Sequence, residues 1–198
     1  MVLMREYVPS FLEELPRPMD QSGCPFPSAW TGLEQVLPAL LKDFDVHPGR
    51  ALEFGVQHGF STAALANYFQ GVIGVDTFAG DPHAGLSDPV ETMRATELRL
   101  QGFPNVTLFC SDYQSWCANE GREGRRFDLI HVDIFHLFAE TYECGRWAVA
   151  HSDCVIFHDT ISHPKGVGRA VERLAAESKR TFYNFPRHYG LGILREGR

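Results

Sequence analysis

Residues 51–62, which read ALEFGVQHGFST, decide the fold of this chain. A short apolar run ends in an acid, Glu53, and two glycines follow four positions apart, Gly55 and Gly59. Ser61 then begins a run of good helix formers. Gly55 permits the positive φ that a tight turn needs, and Gly59 lets the backbone approach a ligand without a Cβ in the way. The pattern therefore predicts a strand, a turn and a helix.

A second strand-like run, residues 71–75, follows this helix and ends in Asp76. Asp76 lies 17 positions after Gly59 (76 − 59). An acid roughly 20 residues beyond a glycine-rich turn is the group that bonds ribose hydroxyls in nucleotide-type pockets. The first β-α-β unit is therefore predicted to hold a ribose-bearing cofactor.

The glycine spacing argues against a dinucleotide. The dinucleotide motif G-x-G-x-x-G has a central glycine, and its helix N-terminus binds a pyrophosphate. Here Gln57 occupies the central position, and an acid precedes the turn. An acid suits a cationic ligand such as S-adenosylmethionine, which has an amino group, a sulfonium and a ribose but no phosphate. An ordinary β-α-β turn with incidental glycines is the alternative.

The pattern E-x-G-x-x-x-G-x-S-T resembles motif I of class I S-adenosylmethionine-dependent methyltransferases. In that family an acid at the position of Asp112, directly after the third predicted strand, commonly accepts the adenine amino group. An Asp there equally caps the following helix. The resemblance implies that Glu53 faces the methionine end of the cofactor and Asp76 its ribose. The full implied cofactor-binding set is Glu53, Gly55, Gln57, Gly59, Ser61, Asp76, Thr77 and Asp112.

The bulk properties exclude several classes of function. The chain has 198 residues and a formal net charge of −7. That length fits one domain, and the negative charge disfavours a broad nucleic-acid-binding surface. No apolar run approaches the roughly 18 residues of a membrane span. Residues 1–20 lack the apolar centre of a signal peptide.

The five cysteines are odd in number and show no paired short spacing and no zinc pattern. We read them as reduced, which predicts a cytoplasmic protein. Its partner would be a small-molecule substrate, not nucleic acid or a membrane.

Residues 1–30 are rich in proline and lack clear periodicity, which predicts an extended arm lying over the rest. Phe26 and Trp30 would anchor this arm. It would serve as a cover, a lid or a dimerisation element, and the sequence does not choose, so a homodimer stays open. Residues 31–198 are predicted to form a single methyltransferase domain.

Strand-like and helix-like patterns alternate along residues 31–198. Five strand–helix alternations are followed by two strands with a short connection, which implies an antiparallel pair. The count predicts an α/β fold: a doubly wound, Rossmann-like, seven-stranded, mostly parallel sheet with an antiparallel last strand and helices on both faces. Class I methyltransferases have this topology. The predicted strands are residues 51–53, 71–75, 105–110, 127–132, 154–157, 181–185 and 190–194.

Four residues with metal-binding or acid–base chemistry follow the fourth and fifth predicted strands: Asp133, His136, His158 and Asp159. Adjacent parallel strands would bring them together beside the cofactor pocket. Two carboxylates with one or two imidazoles suit a divalent cation, which would hold vicinal substrate oxygens and lower a hydroxyl pKa. His136, or His158 if it is no ligand, would accept the hydroxyl proton. The alternative is that the acids cap helices and the histidines are satisfied structural groups.

A closer resemblance rests on residues 74–85, on residues 128–133 with His136, and on residues 155–160. These segments look like a family that includes macrocin-type sugar O-methyltransferases and cephalosporin hydroxylase-like proteins. In its metal-dependent members, an acid after strand four and an acidic pair after strand five hold magnesium. By position these are Asp133 and the pair His158 and Asp159. His158 replaces a hard carboxylate, which weakens a magnesium site or favours a softer metal.

The sequence thus predicts a methyltransferase that uses S-adenosylmethionine, with Mg²⁺ or another divalent cation assisting. It would methylate an oxygen of a small polyhydroxylated molecule, a sugar or a natural product, with His136 and Asp133 as catalytic residues. One alternative is a non-catalytic S-adenosylmethionine-binding accessory protein. The other is an NAD-dependent oxidoreductase, which the missing central glycine disfavours.

Overall fold

An eight-stranded sheet forms the centre of the structure, a computed structural model that describes residues 4–13, 28–81, 85–121 and 125–196. Two further short strands pair only with each other. In chain order the strands are β1 (Met4–Glu6), β2 (Arg50–Phe54), β3 (Gly71–Asp76), β4 (Gly80–Asp81), β5 (Gly85–Leu86), β6 (Val106–Cys110), β7 (Leu129–Val132), β8 (Cys154–His158), β9 (Thr181–Phe185) and β10 (Leu191–Arg195).

Helices connect most of the strands. Those in the described residues are α1 (Leu37–Asp43), α2 (Phe60–Ala66), α3 (Pro89–Arg99), α4 (Tyr113–Asn119), α5 (Phe138–His151) and α6 (Arg169–Ser178). A 3₁₀ turn (Leu33–Gln35) precedes α1, and a π-helical turn (Pro164–Gly168) precedes α6.

The core lies on both faces of the sheet. Buried apolar residues form two clusters, one that includes α1 and α2 and one that includes α4, α5 and α6. Neighbouring residues of β2 belong to opposite clusters, Ala51 to the first and Leu52 to the second. A strand that is covered on both faces shows this alternation, because its side chains point to opposite sides in turn.

The strand order in the sheet is β1-β9-β10-β8-β7-β2-β3-β6. Strands β6, β3, β2, β7 and β8 run parallel, and β10 runs antiparallel to both β8 and β9. The predicted doubly wound sheet with an antiparallel last strand is confirmed. An eighth strand, β1, extends it by pairing parallel to β9, with Arg5 beside Tyr183.

The parallel strands end at one edge of the sheet. Phe54 of β2 pairs with Val75 of β3 on one side and with Val132 of β7 on the other, and Val132 pairs with Phe157 of β8. The residues that follow these four strands are therefore neighbours. Ligand sites of open α/β sheets lie at this edge.

The arm predicted over residues 1–30 is described in part. Residues 1–3 and 14–27, including the predicted anchor Phe26, lie outside the described residues. Tyr7 donates a hydrogen bond to Asp43 Oδ2 on α1 at 2.9 Å, and Trp30 is only 1% exposed within the first cluster. The division into an arm and a domain at residue 31 stays a prediction.

Among the described residues, no helix is both long and apolar enough to cross a membrane.

Candidate functional site

A cavity of about 610 Å³ opens at the carboxyl edge of the sheet. Its volume falls within the range of small-molecule sites, about 300–1,000 Å³. Residues after β2, β3, β6 and β7 line it, and they include most of the predicted cofactor-binding residues. Those in the lining are Gly55, Gln57, Ser61, Asp76, Thr77 and Asp112.

A side chain is excluded at the two glycines of the turn by different neighbours. Gly55 has φ +93°, and a Cβ there would lie 1.8 Å from the carbonyl oxygen of Asp133. Gly59 has φ +87° at the start of α2, and a Cβ there would lie 3.0 Å from Leu100 Cδ1 and 3.1 Å from Thr96 Cγ2. Gly59 is absent from the cavity lining. The expected approach of its backbone to a ligand is therefore replaced by helix packing.

Asp76 holds the turn in place. Its Oδ2 accepts hydrogen bonds from the backbone N–H groups of Val56 (2.8 Å) and Gln57 (2.7 Å), and its Oδ1 accepts one from Phe78 N–H (2.7 Å). Gln57 adopts φ +50°, which these bonds stabilise. A carboxylate has about four acceptor sites. Asp76 therefore keeps acceptor capacity beside the cavity that it lines.

Asp112 is the N-cap of α4 and also lines the cavity. Its carboxylate accepts hydrogen bonds from the N–H (2.7 Å) and the hydroxyl (2.9 Å) of Ser115. These bonds, led by the one from the backbone N–H, hold the pKa of Asp112 below its usual value. Asp112 therefore caps α4 and also borders the cavity.

Glu53 does not lie where the sequence analysis expected it. The side chain is fully buried and is absent from the cavity lining, so it does not face the cavity. It lies on the same face of β2 as Ala51, towards α2, where Thr62 Oγ1 donates a hydrogen bond to Glu53 Oε2. Glu53 Oε1 lies 2.8 Å from Nδ1 of His131, its neighbour on β7.

His131 links Glu53 to the arm. Its Nε2 accepts a hydrogen bond from Trp30 Nε1–H at 3.2 Å, so its own proton is on Nδ1 and is donated to Glu53. The Trp30 ring also lies edge-on to the His131 ring, with centroids 5.0 Å apart. This buried chain joins the arm, β7, β2 and α2. Sequence reasoning missed it because no motif marks a buried pair on two neighbouring strands.

The variant Glu53→Gln should lower the free energy of unfolding by about 1–3 kcal/mol, because one of the two donors would then face an amide NH₂ group. Urea unfolding followed by circular dichroism measures the change. Glu143→Gln, on the exposed side of α5, is the matched control. Equal stabilities of the two variants would contradict the assigned donor pattern.

The four residues predicted to carry chemistry converge next to the cavity. His158 Nδ1 lies 3.2 Å from Asp133 Oδ2 and 3.3 Å from Asp159 Oδ2. His136 Nε2 lies 2.9 Å from Asp159 Oδ2 and 3.7 Å from Asp133 Oδ1. Asp133 and His136 line the cavity, so the cluster opens into it.

The acids and imidazoles of this cluster stabilise each other's charged forms. Burial by itself would lower the pKa of His158, but Asp133 and Asp159 outweigh it and raise that pKa to about 10. Hydrogen bonds to the same two carboxylates raise the pKa of His136 to about 9. Burial would raise the pKa values of the acids, and the histidines instead hold both well below their usual range. The positive charges of the two imidazolium rings therefore balance the two carboxylates.

Asp133, His158 and Asp159 fit a divalent cation, and we call them the candidate cation site. Ligands about 2.1 Å from one ion lie roughly 3.0–3.4 Å apart at angles of 90–109°. The distances of 3.2 and 3.3 Å from His158 Nδ1 match this spacing. Asp159 has φ +64°, a sparsely populated conformation for a residue other than glycine. Such strain is common at functional sites.

His163, which the sequence analysis did not single out, adds a third imidazole. Its Nδ1 lies 3.8 Å from Asp159 Oδ1, and its ring stacks on that of His136 with centroids 4.2 Å apart and planes 10° apart. Imidazole lone pairs lie in the ring plane, so two parallel rings cannot direct them at one ion. His136, Asp159 and His163 are therefore a poorer cation site in this geometry.

Solved structures share this fold. An O-methyltransferase from Bacillus cereus, in complex with SAH, matches with a TM-score of 0.60 and 17% identity, over 90% of this chain and 87% of that chain. The apo structure of CalS11, a TDP-rhamnose 3'-O-methyltransferase of calicheamicin biosynthesis, matches with 0.59 and 16%, over 96% and 98%. A Klebsiella pneumoniae protein provisionally named an O-methyltransferase matches with 0.65 and 19%, over 91% and 86%.

No protein-family model and no curated protein matches the sequence. At identities below 20% these likenesses establish the fold. The chain has the fold of the class I methyltransferases, and the predicted fold class is confirmed.

Proposed function

We propose that the protein is an S-adenosylmethionine-dependent methyltransferase that methylates a hydroxyl oxygen of a small polyhydroxylated molecule, a sugar or a natural product. One observation carries the proposal. A single cavity is lined both by the turn that Asp76 holds and by Asp133 and His136. Cofactor-binding and oxygen-binding groups would therefore face the same space.

The cofactor would lie along the residues after β2, β3 and β6. Asp76 would accept the ribose hydroxyls with its remaining acceptor capacity, and Gln57, Ser61 and Thr77 would border the same region. Asp112 would lie at the adenine side. Each of these residues lines the cavity. Glu53 would act only indirectly, through the buried hydrogen bonds that fix β2.

Asp133, His158 and Asp159 would hold a divalent cation beside the part of the cavity that Asp133 lines. The cation would supply Lewis-acid chemistry: it would orient two vicinal oxygens of the acceptor and lower the pKa of one hydroxyl. Methyl transfer is an in-line displacement, so correct positioning supplies much of the rate. His136 would take the hydroxyl proton on Nε2 once a bound cation offsets the two carboxylates that otherwise raise the pKa of His136 to about 9.

Two observations support the choice of a small polyhydroxylated acceptor. TDP-rhamnose in the name of CalS11 supports a sugar as one acceptor class. The net charge of −7 supports a small-molecule acceptor over nucleic acid. A cytoplasmic location and a homodimer remain expectations from the sequence.

Calorimetry with S-adenosylhomocysteine and, separately, with NAD tests the cofactor. We expect binding heat with the first and none with the second, because Gln57 stands where a dinucleotide site needs glycine. Heat with NAD alone would make the oxidoreductase the better assignment. If S-adenosylhomocysteine binds, a labelled methyl donor with a panel of sugars and phenols distinguishes an enzyme from an accessory protein.

A divalent cation that binds the candidate cation site should stabilise the folded protein. Addition of a divalent cation well above its dissociation constant should raise the free energy of unfolding by roughly 1–3 kcal/mol. Thermal melts with and without EDTA measure this effect in the wild type and in Asp133→Ala. We expect the response to vanish in the variant. An identical response in both proteins would remove the cation from the proposed function.

A further inference from the structure

The candidate cation site contains one nitrogen donor, the imidazole of His158, between two carboxylates. We infer that this site selects a first-row transition-metal dication of the Mn²⁺ to Zn²⁺ series over Mg²⁺. The inference rests on the proposed function, because it concerns the same three residues. It goes further because it names the class of metal. The argument uses the donor atoms of the site and the contacts that fix His158 in place.

The hydrogen bond on the far side of the ring determines which nitrogen of His158 faces the site. His158 Nε2 lies 3.2 Å from the backbone carbonyl oxygen of His188, which can only accept, so Nε2 carries a proton. Nδ1 then faces Asp133 and Asp159, and a bound dication would displace the proton that these carboxylates hold there. Metal-binding histidines almost always donate their other N–H to a carbonyl, a carboxylate or water. His158 therefore has the outer partner of a ligand histidine.

The loop that supplies this carbonyl is held firmly. His188 and Tyr189 both have positive φ, +50° and +67°. Tyr189 O accepts hydrogen bonds from Ile161 N–H (3.0 Å) and Ser162 N–H (3.1 Å), and a Cβ at Gly190 would lie 2.5 Å from Thr160 Oγ1. Such strained conformations persist only when the surroundings determine them. The His188 carbonyl is therefore a built partner of His158.

The imidazole cannot move out of the way of an ion that prefers oxygen. His158 is 2% exposed, with the Trp30 ring 6.4 Å away and the Tyr189 ring 6.3 Å away, centroid to centroid. Mg²⁺ prefers an octahedral shell of oxygens and gives up its water reluctantly. Imidazole suits Zn, Fe, Ni and Cu, and affinity at such mixed sites rises along the first transition row. A fixed nitrogen donor therefore favours the transition metals.

The test is a Co²⁺ titration of the metal-free full chain, followed by visible absorption, with Mg²⁺ as competitor. We expect one Co²⁺ per chain at this site, bound at least about 100-fold more tightly than Mg²⁺. Mg²⁺ that displaces Co²⁺ at less than about a tenfold excess would overturn the inference. This measurement needs no variant and no knowledge of the acceptor.

Two variants locate the selectivity. His158→Asp restores an all-oxygen donor set and should bring the preference for Co²⁺ over Mg²⁺ below about tenfold. His47→Ala removes an exposed histidine that is not part of the candidate cation site. It should leave the affinities for Co²⁺ and Mg²⁺ unchanged. An unchanged preference in His158→Asp would overturn the inference. If that variant does not fold, the wild-type competition decides.

Calorimetry with S-adenosylhomocysteine on the same samples separates this inference from the proposed function. Binding of S-adenosylhomocysteine without selective Co²⁺ binding would leave the methyltransferase standing and remove the selectivity. Selective Co²⁺ binding without S-adenosylhomocysteine binding would keep the metal selectivity and contradict the methyltransferase.

Discussion

Replacing Asp159 by asparagine should lower methyl transfer by about 10²–10³-fold while the protein remains folded. Asn tolerates the left-handed φ of +64° that Asp159 adopts, so the backbone keeps its shape. The change removes the negative charge that faces His158 and His136 and converts an anionic ligand into a weak neutral one. Initial rates with an acceptor from the sugar and phenol panel measure the loss.

The control for this variant is Asp153→Asn, which removes a half-exposed acid paired with Arg126 at the surface. It should change the rate by no more than about twofold, since exposed ion pairs contribute little. Full activity in Asp159→Asn, with a normal circular dichroism spectrum, would show that Asp159 only shapes the turn after β8.

Replacing Gly55 by alanine should lower the free energy of unfolding by about 3 kcal/mol or more. The added Cβ would lie 1.8 Å from the backbone carbonyl oxygen of Asp133, and the backbone fixes both atoms, so neither can rotate away. The residue would also have to adopt φ +93°. Urea unfolding measures the effect. The stabilising response to a divalent cation should fall as well, because relief of the clash displaces Asp133.

Gly71→Ala is the matched control. Gly71 begins β3, has no positive φ, and its added Cβ would meet no atom within 4 Å. It should be neutral or change stability by less than about 1 kcal/mol. A similar loss in both variants would mean that the Gly55 position has no special packing demand.

The sheet was predictable because its signals are local and repeated. Each parallel strand is a short apolar run, and a helix pattern follows all five of those runs. The edge strand β1 was not predictable, since Met4–Glu6 is three exposed residues with no apolar alternation. Its position depends on backbone pairing with β9, a contact that leaves no pattern in the sequence.

The convergence of Asp133, His136, His158 and Asp159 was predictable for the same topological reason: His158 ends one of two adjacent strands, and the other three follow those strands at the same edge. The orientation of Glu53 was not. Alternation places Glu53 on the same face as Ala51, but in a sheet buried on both sides it does not tell which face meets the ligand. The carbonyl of His188 and the ring of His163 come from turns, whose geometry only the folded chain defines.

The position of β10 has a consequence for the order in which the molecule assembles. β10 lies between β8 and β9, and β1 pairs with β9, so residues 4–6 and 182–184 meet across a sequence separation of 178 (182 − 4). Contacts of such long range form late and slowly. A growing polypeptide that still lacks Leu191–Arg195 has no strand to join β9 to β8, and β1 is then without its place in the sheet as well. During synthesis, β9 and β1 must therefore wait for the same five residues.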